Sequence, residues 1–130
     1  VSGLLRIQLS RAKGWRMPAH TLKVDRSTRY GNPWRIVAPG EHRRHWWVCG
    51  TRTNDEFATR AEATALSLRK FRYHAETHRE RYAGLAGMNL GCWCRLCPRH
   101  KAGKPLGEPC ADCDLCHADV IGELVNGGAA

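Results

Sequence analysis

The sequence predicts one small domain of the α/β or α+β class, with a short sheet, a central helix, a cysteine-rich segment and a C-terminal helix. Three observations predict it. The chain has 130 residues, room for one modest core and not for two. Short β-prone runs precede a single well-capped helix, and paired apolar residues at helical spacing return only near the C-terminus. Between these helices, six of the seven cysteines fall within 25 residues. Strands, helix, loop and helix in that order suit layered packing around one core.

The elements follow in chain order. Residues 4–9, "LLRIQL", alternate imperfectly between apolar and polar and predict a strand. Gly14 and Pro18 make 10–20 a loop. "TLKV" at 21–24 is a short second strand, ended by "DRSTRYGNP" at 25–33, which is too rich in turn formers for regular structure. Pro39 and Gly40 mark another turn. "RHWWVCG" at 44–50 has the aromatic and β-branched content of a strand. Thr59 and Glu62 form a capping box at the start of the central helix. Ala61, Ala65, Leu68 and Phe71 approximate its apolar face, and residues 74–82 prolong it or form a second helix. Val120 with Leu124 and Ile121 with Val125 make 117–126 a packed helix, stopped by "NGG". The expected layout is a single domain over 1–126 and a disordered tail at 127–130.

Charge is segregated. Residues 1–52 hold 11 Lys+Arg against Asp25 and Glu41, whereas residues 53–130 hold 10 of each sign. The whole net charge of +9 therefore sits in the first two-fifths, as a polyanion-facing surface requires. No apolar run is long enough for a membrane span, and the opening residues lack a secretory pattern, so the cytoplasm is expected.

A tight cysteine cluster without a secretion signal reads as a metal site, not a disulfide scaffold, and zinc is the expected ion. One quartet is Cys97-x2-His100 with Cys110-x2-Cys113. The rival is Cys94-x2-Cys97 with Cys113-x2-Cys116. Either brings two close pairs to one tetrahedral ion. Gly and Pro fill the segment between the pairs, which cannot pack a core of its own. Beside it, Cys92 and Cys94 share a side of an extended chain. Cys116 and His117 stand where the last helix begins, with Asp119 in its first turn. These residues form either a reactive Cys/His centre or a second metal site.

The loop at 23–34 is the other chemistry-bearing segment. Arg26 and Arg29 offer guanidinium forks, Ser27 and Thr28 hydroxyls, and Asn32 an amide, a set suited to phosphate or carboxylate. Asp25 would orient an arginine or handle a proton. It is not a P-loop, because the GxxxxGK[ST] spacing is missing. Nor is there an H-x-E before the cysteine pair, so the zinc-deaminase signature is absent.

"LSRAKGWRMP", "TLKVDRSTRYGNPW", "LAGMNLGCWCRLC" and "CHADVIGELVN" together resemble an uncharacterised family of small phage and bacterial proteins. The likeness rests on Gly31, Asn32 and Pro33 in a "GNP" loop, and on a terminal motif from "CWC" (92–94) to "CHADVI" (116–121). It implies no established activity. Relatives pass from "CWC" to "CH" through a short link, so residues 95–115 read as a metal-binding insertion. Cys97, His100, Cys110 and Cys113 arrive with it as a set, which favours that quartet as a self-contained zinc knuckle.

The expected function is a small basic zinc protein binding a phosphate-bearing ligand, a nucleotide or nucleic acid. Its rivals are an enzyme acting on a nucleotide or modified base, with Asp25, Cys116, His117 and Asp119 as catalytic candidates, and a phage protein that binds a host protein. Under the first reading Arg26, Ser27, Thr28, Arg29, Asn32, Cys92 and Cys94 contact the ligand. Strand ends and helix N-termini converge in α/β sites. Arg26, Arg29 and Asn32 are therefore expected to share one pocket with Cys92, Cys94, Cys116, His117 and Asp119, and the knuckle to form its rim.

Overall fold

Leu5–Gln8 forms the strand β1, and Thr21–Lys23 forms β2. Both stand next to a strand the sequence conceals, β6 at Asn89–Cys92, which lies between them and runs parallel to each. Gly91 in its middle reads as a turn former. In the fold a Cβ there would meet Leu9 Cδ2 at 2.9 Å, so glycine lets Leu9 close over the sheet. The computed structural model describes residues 3–41, 44–50 and 53–126, and the expected tail at 127–130 lies outside them.

A two-residue strand, β7 (Lys104–Pro105), pairs antiparallel with β1 and completes the order β2-β6-β1-β7. It belongs to the 95–115 segment, so the knuckle is not self-contained: it supplies the edge of the main sheet. Leu96 N also donates to Gln8 Oε1 at 2.8 Å.

A second sheet is antiparallel, with β3 (Arg35–Val37), β4 (Trp46–Gly50) and β5 (Thr53–Phe57) in that order. The single expected sheet is thus two. β5, "TNDEF", is too polar to announce itself and forms because β4 offers a continuous antiparallel partner from Trp46 to Gly50.

The first helix, α1, spans Arg60–Thr77 behind the expected capping box. A four-residue helix, α2 (Arg79–Tyr82), follows it. The buried stripe of α1 is Ala63, Ser67, Phe71 and Ala75, which shares only Phe71 with the face read from the sequence. Ala61 and Ala65 are exposed. Ser67 misleads the eye. Its hydroxyl donates to Trp34 O at 2.6 Å and accepts from Asn32 Nδ2 at 3.0 Å, so a polar side chain is buried with its hydrogen bonds met. The C-terminal helix, α3 (His117–Val125), buries His117, Ala118, Val120 and Ile121. Ala118, Val120 and Ile121 join Phe71, Tyr82, Leu85, Leu90 and Val24 in the main core.

Candidate functional site

β2 and β6 end side by side, and α3 begins against them. Val24 N donates to Gly91 O at 2.8 Å, which carries the pairing to the last residue before the Asp25 loop. A cavity of about 250 Å³ opens there. Asp25, Arg26, Asn32, Cys92, Cys116 and His117 line it, together with Cys94 and Trp93. Two sequence segments more than fifty residues apart thus meet where strand ends and a helix N-terminus converge.

Arg29 and Asp119 do not join them. Arg29 folds over its neighbour Tyr30, 5.6 Å from the ring centroid, and Tyr30 in turn packs on Tyr82. Asp119 faces the other side of α3. Its Oδ2 pairs with Arg6 Nη1 at 2.9 Å, and its Oδ1 accepts from Lys104 Nζ and Gly107 N, both at 2.9 Å. Arg6 is 1% and Lys104 3% exposed, so this carboxylate is a structural tie and has no access to the crevice. The sequence shows Arg6 as one charge inside an apolar strand, a sign that a partner waits in the fold. Arg6 also donates to Asp114 O and Arg95 O, binding both ends of the 95–115 segment to β1.

Within the loop the polar groups divide. Asp25 Oδ1 accepts from Ser27 Oγ at 2.5 Å, and Oδ2 accepts from Trp93 Nε1 at 2.8 Å. Burial works to raise the Asp25 pKa, but the bonds from Ser27 and Trp93 prevail and hold it below the ordinary carboxylate value. An ionised acceptor of this kind orients the loop and is a poor proton donor. Thr28 Oγ1 donates to Asp25 O and accepts from Tyr30 N, and so serves the turn. The Asn32 amide is spent on Ser67 and on Trp34 N. Arg26 differs: Nε donates to Asn32 O at 2.9 Å, and its terminal nitrogens make no hydrogen bond to the described residues. Burial and the neighbouring Arg35 guanidinium both lower its pKa. The loop and the start of β3 therefore set two cations near each other, of which Arg26 lines the crevice.

Four ligand atoms of the knuckle, from Cys97, His100, Cys110 and Cys113, lie within 4.8 Å of one another. Cys97 Sγ is 3.3 Å from His100 Nδ1 and 3.9 Å from Cys110 Sγ, and Cys113 Sγ is 3.5 Å from the same Nδ1. A tetrahedral ion at about 2.3 Å from sulfur and 2.0 Å from nitrogen would separate its ligands by roughly 3.5–3.8 Å. The spacing thus fits a metal ion such as zinc. This quartet, and not the rival one, is brought together. It borders a neighbouring cavity of about 390 Å³, so the knuckle is not the rim of the crevice. Cys116 lines both cavities and forms the wall between them.

The crevice holds the other cluster. The ligand atoms of Cys92, Cys116 and His117 lie within 4.8 Å of one another, and all three residues are buried. Cys94 Sγ is 3.8 Å from Cys92 Sγ. Hydrogen bonds from Cys116 and Cys94 hold the Cys92 thiol far below its usual range. Cys116 works to lower the Cys94 pKa, but contact with Cys92 and burial push it up to about 12. The same contacts push Cys116 up.

Residues 7–127 match the family model described as a domain of unknown function, DUF4326, and the chain belongs to that family. No curated protein and no solved structure matches the chain. Among the described residues, no helix is long and apolar enough to cross a membrane.

Proposed function

We propose that this member of the DUF4326 family is a zinc protein that binds a phosphate-bearing small ligand, a nucleotide, in the crevice between the Asp25 loop and α3. One observation carries the reading: Arg26, fixed through its Nε on Asn32 O and with its terminal nitrogens unspent, lines the same cavity as the Cys/His cluster. A guanidinium held by one nitrogen presents a preformed fork to a phosphate. Arg35 adds a second cation, and the N-terminus of α3 adds partial positive charge. Trp93, 40% exposed and in the same wall, carries the Arg11 guanidinium over its ring at 4.6 Å, which brings a further cation to the crevice wall. A cavity of about 250 Å³ suits a small ligand better than a nucleic-acid strand.

The basic N-terminal half supports the same reading. Arg11, Lys13, Arg16, Lys23, Arg26, Arg29 and Arg35 are all exposed, whereas Asp25 is buried and spent on Ser27 and Trp93. A field of that sign draws anions toward the crevice mouth and weakens with salt. The knuckle metal serves the fold, holding a segment that lacks a core.

Calorimetric titration with nucleoside mono- and diphosphates at low salt tests the proposal. Arg26→Ala should weaken binding at least tenfold with little change in Tm, and Arg29→Ala, which stands outside the crevice, should not. Absence of binding at low salt, or equal affinity for wild type and Arg26→Ala, overturns it.

A further inference from the structure

We infer that the crevice is a second metal site, built on Cys92, Cys116 and His117, with its fourth position left open for an anionic oxygen of the bound ligand. The choice of a phosphate oxygen rests on the function proposed above; the metal itself does not.

The first argument is the histidine. His117 Nε2 lies 2.6 Å from Val24 O. A carbonyl accepts and never donates, so Nε2 carries the proton and, in the neutral ring, Nδ1 carries the lone pair. Nδ1 is 3.7 Å from Cys116 Sγ, inside the cluster. A ring whose remote N–H is held by a backbone carbonyl is oriented as metal-bound histidines are. The edge of that ring also rests on Phe71, with centroids 5.1 Å apart at 78°, so it has little freedom to turn.

The sulfurs supply the second argument. Cys116 is the N-cap of α3, and its Sγ accepts from Ala118 N at 3.5 Å. The helix terminus therefore aims a backbone donor at a buried sulfur and fixes where that sulfur stands in the cluster. Buried Arg6 contributes positive charge from the opposite side of Cys116. Packing alone gives no reason to gather two buried thiols, a buried imidazole and a third thiol at one point. A borderline-soft divalent cation such as zinc does.

The count of ligands distinguishes this site from the knuckle. The knuckle brings four ligand atoms within mutual reach, but the crevice brings three. Cys94 Sγ touches Cys92 Sγ and interacts with Cys116, but it does not join the mutual set that includes His117. Three protein ligands facing a cavity leave one tetrahedral position for water or ligand, whereas four close the site. Two thiolates, a neutral histidine and a divalent ion sum to zero. An anionic oxygen at the open position brings the site to a net −1, which Arg26, in the same cavity, offsets while taking the remaining oxygens. One ion would hold the fold and the other the ligand.

Native mass spectrometry of the full chain, purified without chelator, should find two metal ions per chain. His117→Gln and Cys116→Ser should each leave one, and Cys113→Ser should also leave one, from the other site. Cys94→Ser should keep both. In the cobalt-substituted wild type, inorganic phosphate should shift the visible bands of one ion only, and in Cys113→Ser it should shift those of the ion that remains. The wild-type measurements stand even where a variant folds poorly. One metal per folded wild-type chain overturns the inference, as does a Cys92–Cys94 disulfide in the isolated protein. Loss of an ion in Cys94→Ser overturns the open position by making the site four-coordinate. Cobalt bands that ignore phosphate overturn it too, while the Arg26 titration judges phosphate binding separately.

Discussion

Asp119 and Arg6 meet at 2.9 Å, one in the first turn of α3 and the other inside β1, and Lys104 of β7 approaches the second carboxylate oxygen at the same distance. One carboxylate therefore serves two buried cations from two strands. Asp119→Ala would leave both cations buried without it, an arrangement that costs about 3–5 kcal/mol in comparable sites. Urea unfolding should show a loss of that order. Asp119→Asn should lose less, because the amide oxygen still accepts. A change under about 1 kcal/mol in Asp119→Ala would show that water reaches the pair and screens it.

The knuckle makes a local prediction. Cys110 is only half-buried, so Cys110→Ser removes one of the four groups that would hold the ion, with little loss of packing. Without its ion, a segment built around Gly103, Pro105, Gly107 and Pro109 has little to hold it. Hydrogen exchange should then accelerate across 97–113, while the pairing of β1 with β6 keeps its protection. Unchanged exchange in 97–113 would mean that the β7 edge and the Arg6 contacts hold the segment without metal.

How much of this was legible follows from where the information resides. The capping box at Thr59 and Glu62 and the apolar pairs of α3 are local signals, and both helices form where those signals stand. The quartet of Cys97, His100, Cys110 and Cys113 was readable because metal ligands keep short spacings. By contrast, β6 hides behind Gly91, whose lack of a side chain matters only once Leu9 lies across it. The buried Ser67 and Arg6 are polar residues whose partners, Trp34 and Asp119, are distant in sequence. Asp119 was misread for the same reason. Its place in the first turn of α3 is evident, but which side of the helix faces the crevice depends on β1. Convergence of the Asp25 loop with Cys116 follows from strand order, and Arg29 missed it by turning onto Tyr30.

Asp25 should leave a mark on the pH dependence of stability. Its pKa in the folded chain lies below the ordinary carboxylate value, since the bonds from Ser27 and Trp93 outweigh burial. The sign follows from linkage. A carboxylate with a depressed folded pKa adds stability above its unfolded value, about 3.9, and that stability is lost as pH falls through the lower folded value. Asp25→Asn should therefore be less stable at neutral pH by about 1.5–3 kcal/mol, on the scale of a hydrogen bond to a charged group. Its urea midpoint should also fall less steeply than that of wild type below about pH 4. Parallel acid limbs for the two proteins would show that the loop does not depend on the charge.

Gly31 connects the fold to the proposed ligand site. A Cβ at this position would stand 2.5 Å from Arg26 Cα and 2.7 Å from Asp25 O. Both are backbone atoms, so no side-chain rotation relieves the contact. The crowding comes from two successive turns, in which Thr28 N donates to Asp25 O at 3.0 Å and Gly31 N donates to Thr28 O at 3.2 Å. Gly31→Ala must open this fold-back, and with it the bond from Arg26 Nε to Asn32 O that aims the guanidinium. Overpacking of this kind costs about 1–3 kcal/mol. Binding should suffer as well, and by as much as in Arg26→Ala, because a displaced guanidinium no longer presents a preformed fork. Gly84→Ala is the control, since a Cβ there meets nothing within 4 Å. The comparison is a pair of measurements on each variant, the thermal midpoint and the calorimetric affinity for a nucleoside diphosphate. Gly31→Ala should lose both, Arg26→Ala only the affinity, and Gly84→Ala neither. If Gly31→Ala binds like wild type despite its lower midpoint, the loop geometry does not govern the site.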